Sequence, residues 1–269
     1  NSVYAINDFL AQGWDGSNNE IDLVTKTVEP RGDEKELAEI TDLIGSYTTN
    51  FASSSAGRAK NVITGVSKVD GTILYPGEEF DLAKTVSPFT QENGYELAGA
   101  YQNGTVVESF GGGICQVATT LYNAVIRAEL EITMRFNHSM LVHYVEPSMD
   151  AAIAGNYKDL KFKNNLDAPV YIEGYCSGGI IYFNVYGKET RPSNREISFE
   201  SETVSKTDPK VQFTMDASLT AGSVSVTQSG QSGCIAQLWK IVKVDGKQQS
   251  RDLFNKSNYQ ATPKLITIG

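Results

Sequence analysis

The chain has 269 residues, 40% of them hydrophobic and 20% charged, the balance of ordinary globular protein with room for two or three domains. Its 32 acidic against 23 basic residues give a net charge of -9, which argues against nucleic acid or an anionic membrane surface as the main partner. No run approaches the roughly 20 apolar residues of a membrane span. The start at NSVYAINDFL, without a methionine or signal peptide, is read as the start of a fragment, with targeting and anchoring segments expected upstream.

In chain order, IDLVTKTVEP reads as a strand, and EKELAEITDLIGSYTTNF as a helix, because Leu37, Ile40, Leu43 and Ile44 recur at helical spacing before Gly45. FASSSAGRAKN reads as a linker and sets the first boundary at about residue 57. VDGTILYPGEEFDL, with turn signals at Asp70-Gly71 and Pro76-Gly77, predicts a hairpin or strand-turn-strand, and ENGYELAGAYQNG carries a turn at each end. GGGICQVATTLYNAV predicts a helix of about four turns with Val117, Leu121, Val125 and Ala128 on one buried face. HSMLVHYVEP reads as a strand ended by Pro147, and APVYIEGYCSGGIIYFNVYG as two strands joined by a glycine turn. Beyond residue 192, ISFESETV, VQFTMDASL, SVSVTQSG, AQLWKIVKVDG and KLITIG read as the strands of a thin all-β module. The expected fold class is therefore α+β, a helix on antiparallel sheet in residues 58–192, with a small all-β domain over 193–269.

The three cysteines, at 115, 176 and 234, have no C-x-x-C spacing. Cys115 stands apart because three glycines precede it and a helix follows. The glycines allow a tight turn, and the helix start brings its positive end and free amides near the sulfur, which favours thiolate. The amides of Gly112 and Gly113 are candidates for holding an oxyanion. A thiolate nucleophile wants a base, and the chain has only two histidines, His138 and His143, which a regular strand would point to opposite faces. Spacing alone does not choose between them. Asp150 and Asp159 are the nearest carboxylates able to orient an imidazole, while Gln116, Tyr122 and Arg135 are candidates for gripping a substrate carboxylate or amide. A zinc site of Cys115, one histidine and Asp150 lacks paired-ligand spacing, and no metal or cofactor is expected. Cys176 and Cys234 read as structural.

The segments RAKNVITGVSKVDGTILYPGEEFDL, GYELAGAYQNG, GGGICQVATTLYNA, HSMLVHYVEPSMDAAI and DLKFKNN, in this order, resemble the VanW family of cell-wall-associated proteins. Two positions depart from the family pattern. Met134 stands where the family usually has an acidic residue before Arg135, and Ser148 or Met149 stands where glycine is usual. Residues 1–57 resemble the last part of a peptidoglycan-binding domain. Residues 193–269, with LTAGSVSVTQSGQSG and the ending YQATPKLITIG, resemble the five-glycine domain of surface proteins, which is implicated in adhesion and amino-sugar binding.

The resemblance implies an extracellular protein of a Gram-positive-type envelope, held to the membrane only through an N-terminal anchor outside this chain. Its implied partners are peptidoglycan stem peptides and glycan. It also implies cysteine-dependent L,D-transpeptidase chemistry, with the family's characteristic cysteine and histidine falling on Cys115 and His138. Asp150 is the expected third member of the catalytic set, with a backbone carbonyl or Tyr144 as alternatives. Gly112, Gly113, Gln116, Arg135 and Tyr144 are the expected substrate or oxyanion contacts. An L,D-carboxypeptidase, a non-catalytic wall-binding module and a metal-dependent hydrolase are the competing readings.

Overall fold

A computed structural model describes residues 2–17, 20, 32–102, 105–155 and 157–269. The chain divides into two compact units, Asn1–Ala38 and Glu39–Gly269. In the first unit α1 (Ser2–Ala11) buries none of its residues. The short α2 (Glu34–Leu37) starts from a capping box: Asp33 accepts from the Glu36 amide at 2.8 Å, and Glu36 accepts in return from the Gly32 amide at 2.9 Å. The strand expected over residues 21–30 lies outside the described residues.

The second unit opens with β1 (Asp42–Asn50), so the helix expected from Glu34 up to Gly45 is helical only over α2 and gives way to a strand from Asp42, and the boundary expected at about residue 57 lies within this unit. The apolar spacing there suits either structure; packing decides it. Ile44 and Thr49 face inward, and a Cβ on Gly45 would lie 2.5 Å from the Ala128 amide nitrogen, so glycine lets the strand run against a helix end. The expected linker is likewise a helix start. Ser55 caps α3 (Ala56–Val69), which buries Val62, Val66 and Val69.

Next come β2 (Thr72–Leu74), β3 (Glu79–Asp81) and α4 (Leu82–Val86); β2 and β3 form a strand-turn-strand but pair with different partners. The β4 (Leu97–Gln102) and β5 (Thr105–Phe110) hairpin leads into α5 (Ile114–Arg127). After β6 (Glu131–Met134), residues 135–153 are irregular, so the strand expected at 138–147 is absent. Then follow β7 (Lys161–Lys163), β8 (Val170–Ser177) and β9 (Ile180–Gly187), the last two forming the expected hairpin over a Gly178-Gly179 turn. The antiparallel sheet β1-β9-β8-β2 carries α3 and α5 on its inner face, and β3-β7-β6 forms a second small sheet.

The C-terminal domain is all β: β10 (Arg195–Thr207), β11 (Val211–Met215), β12 (Val224–Gln228), β13 (Gly233–Val244), β14 (Lys247–Tyr259) and β15 (Lys264–Ile268). They make two three-stranded sheets, β10-β13-β14 and β11-β15-β12. The architecture is α+β as expected, with one addition and one further correction. The polar β14 has no counterpart among the strands read from the sequence. Helix α5 is buried on every side from Gln116 to Ile126, not on one face, because it is covered by the sheet, α3, the 135–153 segment and the C-terminal domain.

An ion cluster ties the C-terminal domain to the end of α5. Arg195 grips Glu129 with two guanidinium nitrogens at 2.6 and 2.8 Å, and Lys240 donates to the same carboxylate. Burial pushes the Glu129 carboxyl up, but these partners outweigh it and hold it at about 2. Because the folded value lies below the unfolded one, the stabilisation is complete above about pH 4.3 and fades as pH falls toward 2. A Glu129→Gln variant should therefore lose about 2–3 kcal/mol in urea unfolding at pH 7, with the gap to the parent closing between about pH 4 and pH 2. A constant gap across that range would contradict the ion cluster as its source.

Candidate functional site

Along one side of helix α5, Cys115, Thr119 and Asn123 form a stripe of side chains four residues apart, and this stripe builds the site. Cys115 Sγ lies 3.4 Å from the Ile153 carbonyl oxygen. Thr119 both donates to the Ala151 carbonyl and accepts from the Ala151 amide, each at 3.0 Å. Asn123 donates to the Met149 carbonyl at 2.6 Å. Buried side chains of the helix thus satisfy backbone groups of an irregular chain that has no ladder of its own. The segment carrying His138 and Asp150 is held over the helix start by these bonds.

At the helix start the chain needs glycine. Gly113 sits at φ 114, and a Cβ on Gly112 would lie 2.7 Å from the Ala98 carbonyl oxygen. The Gly112 carbonyl accepts from Asn61 at 3.0 Å, which fixes the turn that presents Cys115. Cys115 is the second residue of α5 and remains partly accessible.

The carboxylate of Asp150, 1% exposed, receives four hydrogen bonds. Its Oδ2 accepts from the His138 amide at 2.7 Å and pairs with His138 Nδ1 at 2.6 Å. Its Oδ1 accepts from Arg135 Nη2 at 3.0 Å and from the Tyr259 hydroxyl. With Nδ1 engaged, Nε2 is the ring nitrogen left for Cys115, whose thiol hydrogen-bonds the His138 side chain. Tyr144 packs edge-on to the imidazole with centroids 6.5 Å apart.

The charges follow from this geometry. Burial pushes the Cys115 thiol up, but the hydrogen bond and positive charge of His138 outweigh it and bring the thiol below its ordinary value. Burial opposes protonation of His138, yet hydrogen bonds to Asp150 and Cys115 lift it to about 9. Burial likewise works against the Asp150 anion, and the hydrogen bond and charge of His138, with Arg135, hold it below the carboxylate range. Both shifts run in the direction that favours a thiolate beside an imidazolium. Burial raises Tyr144 well above its ordinary value, and the Cys115 charge adds to this.

The structure brings Cys115, His138, Asp150 and Tyr144 together and leaves His143 exposed to solvent. Asp159 is remote from the imidazole, capping the Ala83 and Leu160 amides at 2.9 and 2.7 Å. Two residues expected to touch substrate are committed elsewhere. Gln116, 1% exposed, accepts from Arg58 and donates to Thr49 and to the Asn50 carbonyl. Arg135 lies behind the imidazole, its Nε 2.7 Å from the Asp150 carbonyl and its Nη1 2.9 Å from Ser257 Oγ. Thr119, Asn123, Ser257 and Tyr259 were not expected at the site. The first two were detectable as polar residues four and eight places after Cys115, on the same side of the helix. Ser148, one of the two positions where the resemblance leads one to expect glycine, occupies φ 67, the left-handed backbone that glycine adopts freely.

Comparison with known proteins matches residues 57–186 to the VanW-like protein family and residues 199–269 to the G5 domain. The chain therefore contains a VanW domain followed by a G5 domain. It is 33% identical over 182 residues to the uncharacterized protein YoaR of Bacillus subtilis, covering 67% of this chain and 60% of that protein. It is 26% identical over 118 residues to the vancomycin B-type resistance protein VanW of Enterococcus faecalis, covering 42% of each. The chain thus spans under two thirds of either relative. The G5 domain of an IgA1 protease matches at 25% identity over 28% of this chain and 90% of that one, with a TM-score of 0.21, too low to bear on the fold. The domain pair points to a protein associated with the cell wall.

Iodoacetamide should discriminate among the three thiols. Burial pushes Cys176 up to about 11 and also raises Cys234, so labelling near pH 7 should fall on Cys115, as peptide mass spectrometry would read. Its rate should rise with a midpoint below the ordinary thiol value of about 8.5. In His138→Ala burial and the Asp150 charge remain to raise the thiol, opposed only by the Ile153 contact, and the midpoint should move above that value, slowing labelling at pH 7 by at least about tenfold.

Proposed function

We propose that this chain is a cysteine-dependent L,D-transpeptidase acting on peptidoglycan stem peptides. The observation that supports this reading best is the Cys115–His138–Asp150 arrangement: a partly accessible sulfur at a helix start, an imidazole beside it, and a saturated carboxylate behind the imidazole. This is the set that acyl transfer through a thioester requires.

Cys115 Sγ, as thiolate, attacks the carbonyl carbon of the third, diamino-acid residue of a tetrapeptide stem. The first amides of α5, around Gly113 and Cys115, face the developing oxyanion with the positive end of the helix behind them. The bond to the terminal D-alanine breaks as His138 delivers its Nε2 proton to the departing amine. The side-chain amine of a third residue on a second stem then attacks the thioester, gives a proton to His138, and releases the thiolate as a 3-3 amide cross-link forms. Atoms and charge balance without a cofactor. Water as acceptor would yield a tripeptide and make the protein an L,D-carboxypeptidase. The G5 domain fits a role in holding the enzyme to wall glycan at the cell envelope.

Incubation of the chain with a defined disaccharide-tetrapeptide, followed by mass spectrometry, should give dimers that have lost one D-alanine. Cys115→Ala should abolish them, and His138→Ala should reduce them at least about a thousandfold, since it removes both the thiolate and the acid. The pH profile of kcat/KM should be a bell, rising with Cys115 ionisation below the ordinary thiol value and falling near pH 9 as His138 loses its proton. Tripeptide without dimer would reassign the chain as a carboxypeptidase. No product and no thioacyl adduct from folded protein would favour a non-catalytic wall-binding module.

A further inference from the structure

β14 is an edge strand of the β10-β13-β14 sheet, and the C-terminal end of its open edge meets the histidine-bearing segment. Asn137 Nδ2 donates to the Asn258 carbonyl at 2.9 Å, and the Gln260 amide donates to the Ser139 carbonyl at 2.7 Å, so His138 is bracketed by two bonds to the C-terminal domain.

Along the strand, Asn255, Ser257 and Tyr259 alternate onto the same side. Asn255 donates to the Tyr122 hydroxyl at 2.7 Å and to the Ser148 carbonyl at 3.2 Å, and Ser257 accepts from Arg135. The Tyr259 hydroxyl accepts from the Ser148 amide at 2.7 Å and donates to Asp150 Oδ1. Ser257 and Tyr259 are 2% and 3% exposed.

Building on the cysteine–histidine reading above, we propose that Tyr259 is a positioning residue of the active site, contributed by the C-terminal domain, which sets the Asp150 carboxylate and through it the ring of His138. One phenol oxygen fixes two things at once: the left-handed backbone at Ser148, two residues before Asp150, and the rotation of the carboxylate itself. A carboxylate's terminal torsion is soft; the His138 amide holds Oδ2 from one side, and anchoring Oδ1 fixes the remaining rotation that keeps Oδ2 aimed at His138 Nδ1. Arg135 supplies one anchor and Tyr259 the other. Because Arg135 also leans on Ser257, both anchors depend on β14. The VanW-type segment therefore does not hold a complete centre by itself.

The test is the pH profile of Cys115 alkylation by iodoacetamide in the full chain, for Tyr259→Phe, Asp150→Asn and the double variant. Tyr259→Phe keeps the ring and removes one oxygen. Labelling at pH 7 should slow about five- to tenfold and its midpoint should move up toward the ordinary thiol value, with a native circular dichroism spectrum. The double variant should label no more slowly than Asp150→Asn, since the hydroxyl acts through that carboxylate. An unchanged profile in folded Tyr259→Phe, or slowing that adds in the double variant, would overturn the assignment. If Tyr259→Phe does not fold, Ser257→Ala takes its place: a smaller upward shift is expected, and no shift would overturn the dependence on β14. A parent protein whose Cys115 labels like an ordinary thiol would instead sink the cysteine–histidine reading; a low parental midpoint that survives Tyr259→Phe would sink only the role of Tyr259.

Discussion

A carboxylate withdrawn from water must be met by donors, and Asp150 is the point where that demand organises the second unit. An unpaired anion at 1% exposure would be costly by several kcal/mol, so its four lone-pair directions recruit partners from wherever the chain can supply them. They come from Arg135 just after β6, from the amide and ring of His138, and from Tyr259 at the end of β14. A nonrepetitive segment and the C-terminal domain are brought to one place by the same charge. The imidazole is held as a consequence, and its hydrogen bond and charge lower the Cys115 thiol in turn.

The second anion of the junction works differently. Glu129 lies at the other end of α5, at φ 59, where its carboxylate meets Arg195 and Lys240 from the C-terminal domain. Glu129 is clasped by cations near the surface, whereas Asp150 is satisfied largely by hydrogen bonds in the interior. Between them, Leu238 of β13 joins the main core and Phe199 and Phe254 pack against it, so the two domains share apolar contact as well as charge. The domain association is thus part of how the centre is built, with both ends of one helix fastened to the same neighbouring sheet.

Much of this was readable in the sequence, and the failures have physical causes. The α5 helix, the β8–β9 hairpin and the partnership of Cys115 with a histidine all follow from glycine placement, apolar period and the scarcity of histidine. The choice of His138 over His143 came only from family resemblance, since the strand assumed for both is an irregular segment. The 138–147 part reads as a strand because it is rich in Val, Tyr and Leu, yet its backbone groups are met singly by Asp150, Gln260, Gln231 and Ser201 in place of a ladder. Helix α3 hid behind a serine cluster that is its cap, and glycines at 57 and 65 weakened its helical signal. β14 hid for the opposite reason. Most of its residues from Lys247 to Lys256 are exposed, so no apolar alternation marks it, and the buried positions that matter, Ser257 and Tyr259, come at its end.

The stripe on α5 also behaves as a ruler. Four residues of helix advance about 6 Å, and two residues of extended chain advance about 6.6 Å, so positions 115, 119 and 123 step in near-equal pitch with backbone groups at 153, 151 and 149. What the helix measures is spacing along the opposing main chain, not the identity of the side chains there. The 149–153 stretch is consequently free to drift in composition at positions with no other duty, while a single inserted or deleted residue would shift every carbonyl off its mark and carry His138 and Cys115 out of register.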